Sequence, residues 1–85
     1  MKQAIMYTKG YCPFCDRAKD LLGQYNDIAL TEIDVEHDLN QMREMIEKTQ
    51  RRTVPQIFID GQHIGGYDEL AEFEKTGKLK KLLEQ

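Results

Sequence analysis

The sequence predicts an α/β domain with a four-stranded mixed sheet flanked by helices, in the order β-α-β-α-β-β-α. Short apolar stretches alternate with segments of helical periodicity, and an Asp-Gly pair separates two short strands near the end. A chain of 85 residues also has room for only one core. We therefore expect a single domain over residues 1–85.

The first strand and the first helix are predicted within residues 3–25. Residues 3–8 are rich in Ile, Met and Tyr and predict a strand. Pro13 suits the first position of a helix, where its missing N–H has no intrahelical partner, so that Cys12 becomes the N-cap. Cys15 lies on the apolar face of this helix and should point toward the core.

A second strand and helix follow. Residues 31–35 alternate between polar and apolar types, which predicts a strand with one polar face. Asp38 and Gln41 resemble a capping box at the start of a helix that ends near Thr49. Because parallel strands need a right-handed crossover, we expect the first helix to cover one face of the sheet.

The second half of the chain predicts a hairpin and a last helix. Residues 56–59 are apolar enough for a buried strand, and Asp60-Gly61 turns the chain into an antiparallel strand at residues 62–64. Gly65-Gly66 then breaks the strand, and Asp68 is expected to cap a helix that stops near Gly77. A final amphipathic turn or two should pack back on the sheet.

Composition and charge exclude several classes of protein. The chain has 12 Lys+Arg against 15 Asp+Glu, a net charge of -3, and no basic stripe of the kind that binds nucleic acid. No segment approaches the ~20 apolar residues that cross a bilayer, and the first residues lack the features of a secretory signal. We therefore expect a cytoplasmic protein with no nucleic-acid or membrane partner. We also expect a monomer, although composition and charge do not determine the oligomeric state.

The two cysteines are the most informative feature, because only two residues separate Cys12 from Cys15. A sulfur at a helix N-terminus lies near uncompensated N–H groups, which favour the thiolate. Cys15, one turn later, is close enough to attack a mixed disulfide formed by Cys12. Lys9 and, less favourably placed, Arg17 could add positive charge.

Two alternatives compete with a redox role for these thiols. A static disulfide would close a very small ring and stabilise the fold by only roughly 2 kcal/mol. The second alternative is that the two cysteines form half of a zinc site. Such a site needs two more ligands, and only His37 and His63 are available, neither at ligand-like spacing. We expect both histidines to be solvated and no metal to be bound.

The sequence resembles the glutaredoxin family in four segments that together span the chain. They are Cys-Pro-Phe-Cys at 12–15, Lys-Gly-Tyr at 9–11, Thr-Val-Pro at 53–55 and Gly-Gly-Tyr-Asp at 65–68. The resemblance implies a thioredoxin-like fold and a cis peptide bond before Pro55. It also implies a glutathione-dependent thiol–disulfide oxidoreductase with Cys12 as nucleophile and Cys15 as resolving thiol.

The implied partners are glutathione, as a co-substrate rather than a tightly bound cofactor, and disulfide-containing or glutathionylated proteins. Ribonucleotide reductase is one acceptor that the family suggests. The expected glutathione-binding residues are Lys9, Tyr11, Arg52, Thr53, Val54, Pro55, Gly66, Tyr67 and Asp68.

The chemistry of glutathione fits these residues. N–H groups at the start of the last helix can hold its γ-glutamyl carboxylate, and Asp68 can meet its ammonium group. Val54, kept extended by the following proline, can pair with the cysteinyl backbone. The glycyl carboxylate has four candidate partners: Lys9, Gln50, Arg51 and Arg52.

Two other functions stay open at this stage. One is an iron–sulfur carrier in which Cys12 and glutathione ligate a cluster between subunits, although Pro13 and Cys15 depart from the Cys-Gly-Phe-Ser pattern of the monothiol class. The other is a thioredoxin-type enzyme reduced by a flavoprotein. The chain lacks the Trp that commonly precedes the thioredoxin cysteines.

Overall fold

The computed structural model describes all residues, 1–85, and has four strands and four helices. In chain order these are β1 (Lys2–Thr8), α1 (Pro13–Leu22), β2 (Ile28–Asp34), α2 (Leu39–Thr49), β3 (Gln56–Ile59), β4 (Gln62–Gly65), α3 (Tyr67–Lys75) and α4 (Lys78–Leu83). The sheet order is β2-β1-β3-β4, with β1 and β2 parallel and the other pairs antiparallel. The predicted mixed sheet and element order are confirmed, and the final amphipathic turns form α4.

Helices cover both faces of the sheet. Alternate residues of β1 point to opposite faces, so this strand contributes to a core on each side. Ala4 and Met6 belong to the larger core cluster, which joins β1 and β3 to α1, α3 and α4. Tyr7 belongs to a smaller cluster with Val35 and Met45, where α2 packs. The β1 strand therefore lies in the middle of the molecule, with the start of α1 following at its carboxyl end.

Three local predictions differ from the structure. β2 begins at Ile28, three residues before the alternating segment, because its first residues pair with β1 in register. Gly66, not Asp68, is the N-cap of α3, so the prediction for Asp68 as the cap is wrong. Asp38 does cap α2 by accepting from the amides of Asn40 and Gln41, but no reciprocal bond from the Gln41 side chain forms.

None of the four helices combines the length and apolar character that crossing a bilayer would require.

Candidate active site

Cys12 is the N-cap of α1, as the sequence predicts. Its backbone is extended, Pro13 occupies the first helical position, and Cys12 Sγ accepts a hydrogen bond of 3.1 Å from the Cys15 amide. The sulfur therefore lies where the unpaired N–H groups of the first helical turn converge. A negative charge on this sulfur would be stabilised by these groups and by the helix dipole.

The two cysteines are joined as a disulfide, with their Cα atoms 5.2 Å apart. Cys15 is 2% exposed and packs in the larger core cluster, which confirms that it faces inward. Cys12 is also largely covered, at 6% exposure. The structure thus represents the oxidised form of the thiol pair.

Val54 lies directly opposite Cys12. The Val54–Pro55 bond is cis, as the resemblance implies, and the Val54 carbonyl oxygen is 4.0 Å from Cys12 Sγ. The Val54 N–H has no acceptor within the chain. Both polar groups of this residue are therefore free to pair with another extended backbone beside the sulfur.

Two surface grooves meet at Val54. The first, which we call the α3 groove, has a volume of about 180 Å³. It is lined by Phe14, Arg51, Thr53, Val54, Pro55, Gln56, Gly66, Tyr67, Asp68 and Glu69. The second, the Lys9 groove, has a volume of about 380 Å³. It is lined by Lys9, Val35, Glu36, Met42, Arg52, Thr53 and Val54.

These grooves bring together eight of the nine residues expected to bind glutathione. Six line the α3 groove, and Lys9 and Arg52 line the other. Tyr11 lines neither groove and is 83% exposed. Phe14 is half exposed, 6.1 Å from the Tyr67 ring and 5.2 Å from the Arg17 guanidinium, so an aromatic edge borders the α3 groove.

The start of α3 offers backbone donors to the α3 groove. The amides of Tyr67 and Asp68, at the first two helical positions, have no intrahelical acceptor. The Gly66 amide, in contrast, donates to Glu69 Oε1 at 2.7 Å. A Cβ on Gly66 would lie 3.4 Å from the Pro55 carbonyl oxygen, so the start of α3 approaches the Thr53–Pro55 segment closely.

The four candidate partners of the glycyl carboxylate differ in whether their side chains are already paired within the protein. Arg51 forms two hydrogen bonds with Glu69, and the Gln50 side chain donates to the Glu47 carbonyl oxygen. Lys9 and Arg52 form no ion pair. Of the four candidates for binding a carboxylate, these two are the ones without a partner.

The Arg51 guanidinium is the main cause of a low pKa at Glu69. Together with the hydrogen bond from the Gly66 amide, it lowers the pKa of the Glu69 carboxyl to about 2. Glu69 is therefore ionised at neutral pH, and its charge compensates that of Arg51 at the edge of the α3 groove.

Two polar residues of the site, Glu69 and Gln56, have no role in the sequence-based expectations, and a third, His63, is predicted only to be solvated. Glu69 occupies the third position of α3, where acidic residues commonly reach back to the N-cap amide, so the capping pattern could have identified it. Gln56 is buried, and its side chain bonds both Thr53 and His63. The expectation that His63 is solvated is wrong, because its ring is partly buried and hydrogen-bonded.

His37 is exposed, as expected. Its Nδ1 lies 2.8 Å from Asp34 Oδ2, and this hydrogen bond, followed by the charges of Asp34 and Glu36, raises the pKa of the imidazole above its usual value. The three side chains form an exposed group beside the loop that precedes Cys12, where Glu36 accepts from the Gly10 amide.

Comparison with known proteins identifies the family. The sequence profile described as Glutaredoxin matches residues 4–64, which include Cys12, Cys15 and the Thr53–Pro55 segment. The chain belongs to the glutaredoxin family. As a glutaredoxin with a buried cysteine pair, of which Cys12 caps α1, it is a thiol–disulfide oxidoreductase with a thioredoxin-like fold.

Two glutaredoxins match this protein over at least 94% of its length. The protein is 43% identical to Glutaredoxin 3 of Escherichia coli strain K12 over 83 residues, which are 98% of this chain and 99% of the relative. It is 46% identical to Glutaredoxin 1 of Rickettsia conorii over 82 residues, covering 94% of this chain and 79% of that protein.

Solved structures of other glutaredoxins have the same architecture. A buckwheat glutaredoxin–glutathione complex matches with a TM-score of 0.83 at 32% identity, covering 96% of this chain and 76% of that one. The solution structure of a glutaredoxin from Brucella melitensis matches with a TM-score of 0.81 at 43% identity, covering 95% and 87% of the two chains. The predicted thioredoxin-like fold is therefore confirmed.

Proposed function

We propose that this glutaredoxin uses glutathione to reduce protein–glutathione mixed disulfides and protein disulfides, with Cys12 as the nucleophile and Cys15 as the resolving thiol. The observation that carries the proposal is the position of Cys12 Sγ, at a helix N-terminus and beside the free backbone groups of Val54. A sulfur in this position is both activated and next to a site for an extended peptide.

The reaction on a glutathionylated protein needs only Cys12. The Cys12 thiolate attacks the glutathione sulfur, the protein thiolate leaves and takes up a proton, and a Cys12–glutathione disulfide forms. The thiolate of a second glutathione then attacks the bound glutathione sulfur. This step releases glutathione disulfide and restores the Cys12 thiolate.

Reduction of a protein disulfide also needs Cys15. The Cys12 thiolate attacks one sulfur of the protein disulfide and forms a mixed disulfide, while the other protein sulfur leaves as a thiolate and takes up a proton. The Cys15 thiolate then attacks Cys12 Sγ, and the second protein sulfur leaves in the same way. The product is the Cys12–Cys15 disulfide, the state present in this structure. Two glutathione molecules return it to the dithiol and leave as glutathione disulfide.

Glutathione is proposed to lie across both grooves with its cysteinyl backbone on Val54. The α3 groove offers the Tyr67 and Asp68 amides to the γ-glutamyl carboxylate, and the Asp68 carboxylate to the ammonium group. Lys9 and Arg52 in the other groove are the proposed partners of the glycyl carboxylate. The similarity to the buckwheat glutaredoxin–glutathione complex supports glutathione as the ligand.

The domain organisation, the oligomeric state, the location and the protein acceptor are also proposals. We propose that residues 1–85 act as one glutaredoxin domain, as a monomer in the cytoplasm. Ribonucleotide reductase is one protein disulfide that could accept its electrons, and reduction of purified oxidised reductase by glutathione in the presence of this protein would test that acceptor.

Single substitutions can distinguish the roles of the two cysteines. Cys12→Ser should abolish reduction of a glutathionylated peptide by glutathione, because no nucleophile remains. Cys15→Ser should retain that activity but lose catalysis on a protein disulfide such as oxidised insulin. Full activity of Cys12→Ser would contradict the mechanism, and turnover with thioredoxin reductase but not with glutathione would contradict glutathione as the reductant.

A further inference from the structure

We propose that the buried Gln56 side chain, held in turn by His63, positions the Thr53–Pro55 segment against Cys12 and thereby sets the affinity for glutathione. The proposal rests on the proposed function, since it concerns the same groove. Gln56 is a positioning residue in this account, because it acts on the ligand through the backbone of Thr53 and Val54.

The hydrogen bonds of Gln56 connect β4 to the groove. Gln56 is 1% exposed, and its Nε2 donates to the Thr53 carbonyl oxygen at 3.1 Å and to Thr53 Oγ1 at 3.3 Å. Its Oε1 is 2.8 Å from Nε2 of His63, which stacks at 4.9 Å on the Phe58 ring. A buried amide left without these partners would be costly, so this arrangement is strongly preferred.

The chemistry of the three groups gives this chain of hydrogen bonds one direction. The Thr53 carbonyl oxygen can only accept, so the Gln56 atom facing it must be the amide nitrogen. Gln56 Oε1 therefore faces His63 and can also only accept. The Nε2 of His63 must then carry a proton, and donation runs from His63 through Gln56 to Thr53.

The consequence for the groove follows from the planarity of the peptide bond. The Thr53 carbonyl and the Val54 N–H belong to one trans peptide unit and point in opposite directions. When Gln56 binds the carbonyl from the inside, the Val54 N–H must face outward. Thr53 lies in no helix or strand, so no ladder of backbone hydrogen bonds fixes this orientation in place of Gln56.

The kinetic test replaces Gln56 by Met, which keeps the length of the side chain but cannot donate or accept as the amide does. We expect the KM for glutathione to rise roughly tenfold, as for the loss of one well-placed hydrogen bond, while kcat changes less than about twofold. Gln62→Met, an exposed glutamine in β4, is the matched control and should leave both constants unchanged.

A second variant keeps the proposal testable if Gln56→Met does not fold. His63→Phe keeps an aromatic ring against Phe58 but removes the donor to Gln56, and should raise the KM for glutathione about threefold. The ¹⁵N shifts of neutral His63 in the wild-type protein should show the proton on Nε2, as its hydrogen bond to Gln56 Oε1 requires. The rise in KM with little change in kcat is the result that a purely structural role would not give.

The outcomes separate the two proposals. Glutathione turnover by the wild type with an unchanged KM in Gln56→Met and His63→Phe would overturn the positioning role and leave the proposed function intact. A proton on Nδ1 of neutral His63 would overturn the hydrogen-bond chain itself. Absence of any glutathione-dependent turnover by the wild type would overturn the proposed function and, with it, the role of Gln56 in glutathione affinity.

Discussion

Arg51 and Glu69 form a bidentate ion pair that joins the segment after α2 to the first turn of α3. Both nitrogen–oxygen distances are 2.7 Å, and Glu69 Oε1 also accepts from the Gly66 amide. The pair thus connects the segment leading to Thr53 with the start of α3, which are the two walls of the α3 groove.

Glu69→Gln should reduce stability in a pH-dependent way. The pKa of Glu69 is lowered from 4.5 to about 2 in the folded protein, so the unfolded state takes up the proton first. Its stabilisation is therefore complete above about pH 4.5 and lost as the pH falls toward 2. We expect a loss of about 1 kcal/mol at pH 7, the upper range for an exposed pair, measured by urea unfolding.

Glu72→Gln is the control for this measurement, because Glu72 is exposed in the same helix and forms no ion pair. It should leave the unfolding free energy at pH 7 almost unchanged. A constant difference between Glu69→Gln and the wild type from pH 7 down to pH 2 would contradict the assigned pKa.

Gly65→Ala should destabilise the protein by about 2 kcal/mol. Gly65 has a φ of +122°, and a Cβ there would lie 2.5 Å from Glu69 Oε1, so the variant combines backbone strain with displacement of Glu69. Gly61→Ala is a matched control, since Gly61 has a φ of +83° but open space around a Cβ. Equal losses in the two variants, by thermal or urea unfolding, would show that displacement of Glu69 contributes nothing.

The two histidines should titrate on opposite sides of 6.5. The hydrogen bond with Asp34 raises the pKa of His37, whereas burial, followed by the charge of Arg51, lowers the pKa of His63. His37 therefore stabilises the fold below pH 6.5 and loses this effect as the pH rises through its folded pKa. His63 destabilises the fold as the pH falls below 6.5, because the unfolded state takes up the proton first. NMR titration measures both.

Asp34→Asn tests the cause of the first shift. The pKa of His37 should fall back toward 6.5, while that of His63 should not move, because Asp34 does not contribute to it. An unchanged pKa of His37 in this variant would mean that Asp34 is not its main partner in solution.

Lys9→Gln and Arg52→Gln should each raise the KM for glutathione by roughly two- to fivefold, with little change in kcat, as for loss of one solvent-exposed charge interaction. Both residues line the groove proposed for the glycyl carboxylate and have no ion-pair partner. Lys48→Gln, whose lysine is paired with Glu44 in α2, is the control. High salt should reduce the difference in KM between the wild type and the variants. An unchanged KM in both variants would show that neither residue binds glutathione.

Much of the fold could be predicted because its signals are local. Pro13 after Cys12 identifies the start of α1, and Asp60-Gly61 identifies the hairpin, since each depends on backbone preferences of adjacent residues. The start of α3 does not follow from local signals, because Gly66 and Asp68 are both acceptable caps and the choice depends on Glu69 reaching back to the Gly66 amide.

The sequence by itself determined the element order, the position of Cys12 at a helix N-terminus and the inward position of Cys15. It could not distinguish Arg51 from Arg52, because the two basic residues are adjacent. Only the packing of α3 against the segment after α2 pairs Arg51 with Glu69 and leaves Arg52 in the Lys9 groove. The roles of Gln56 and His63 were also decided by tertiary structure. Their hydrogen bonds form because the β3–β4 hairpin folds back beside Thr53, and no pattern of neighbouring residues encodes that distance.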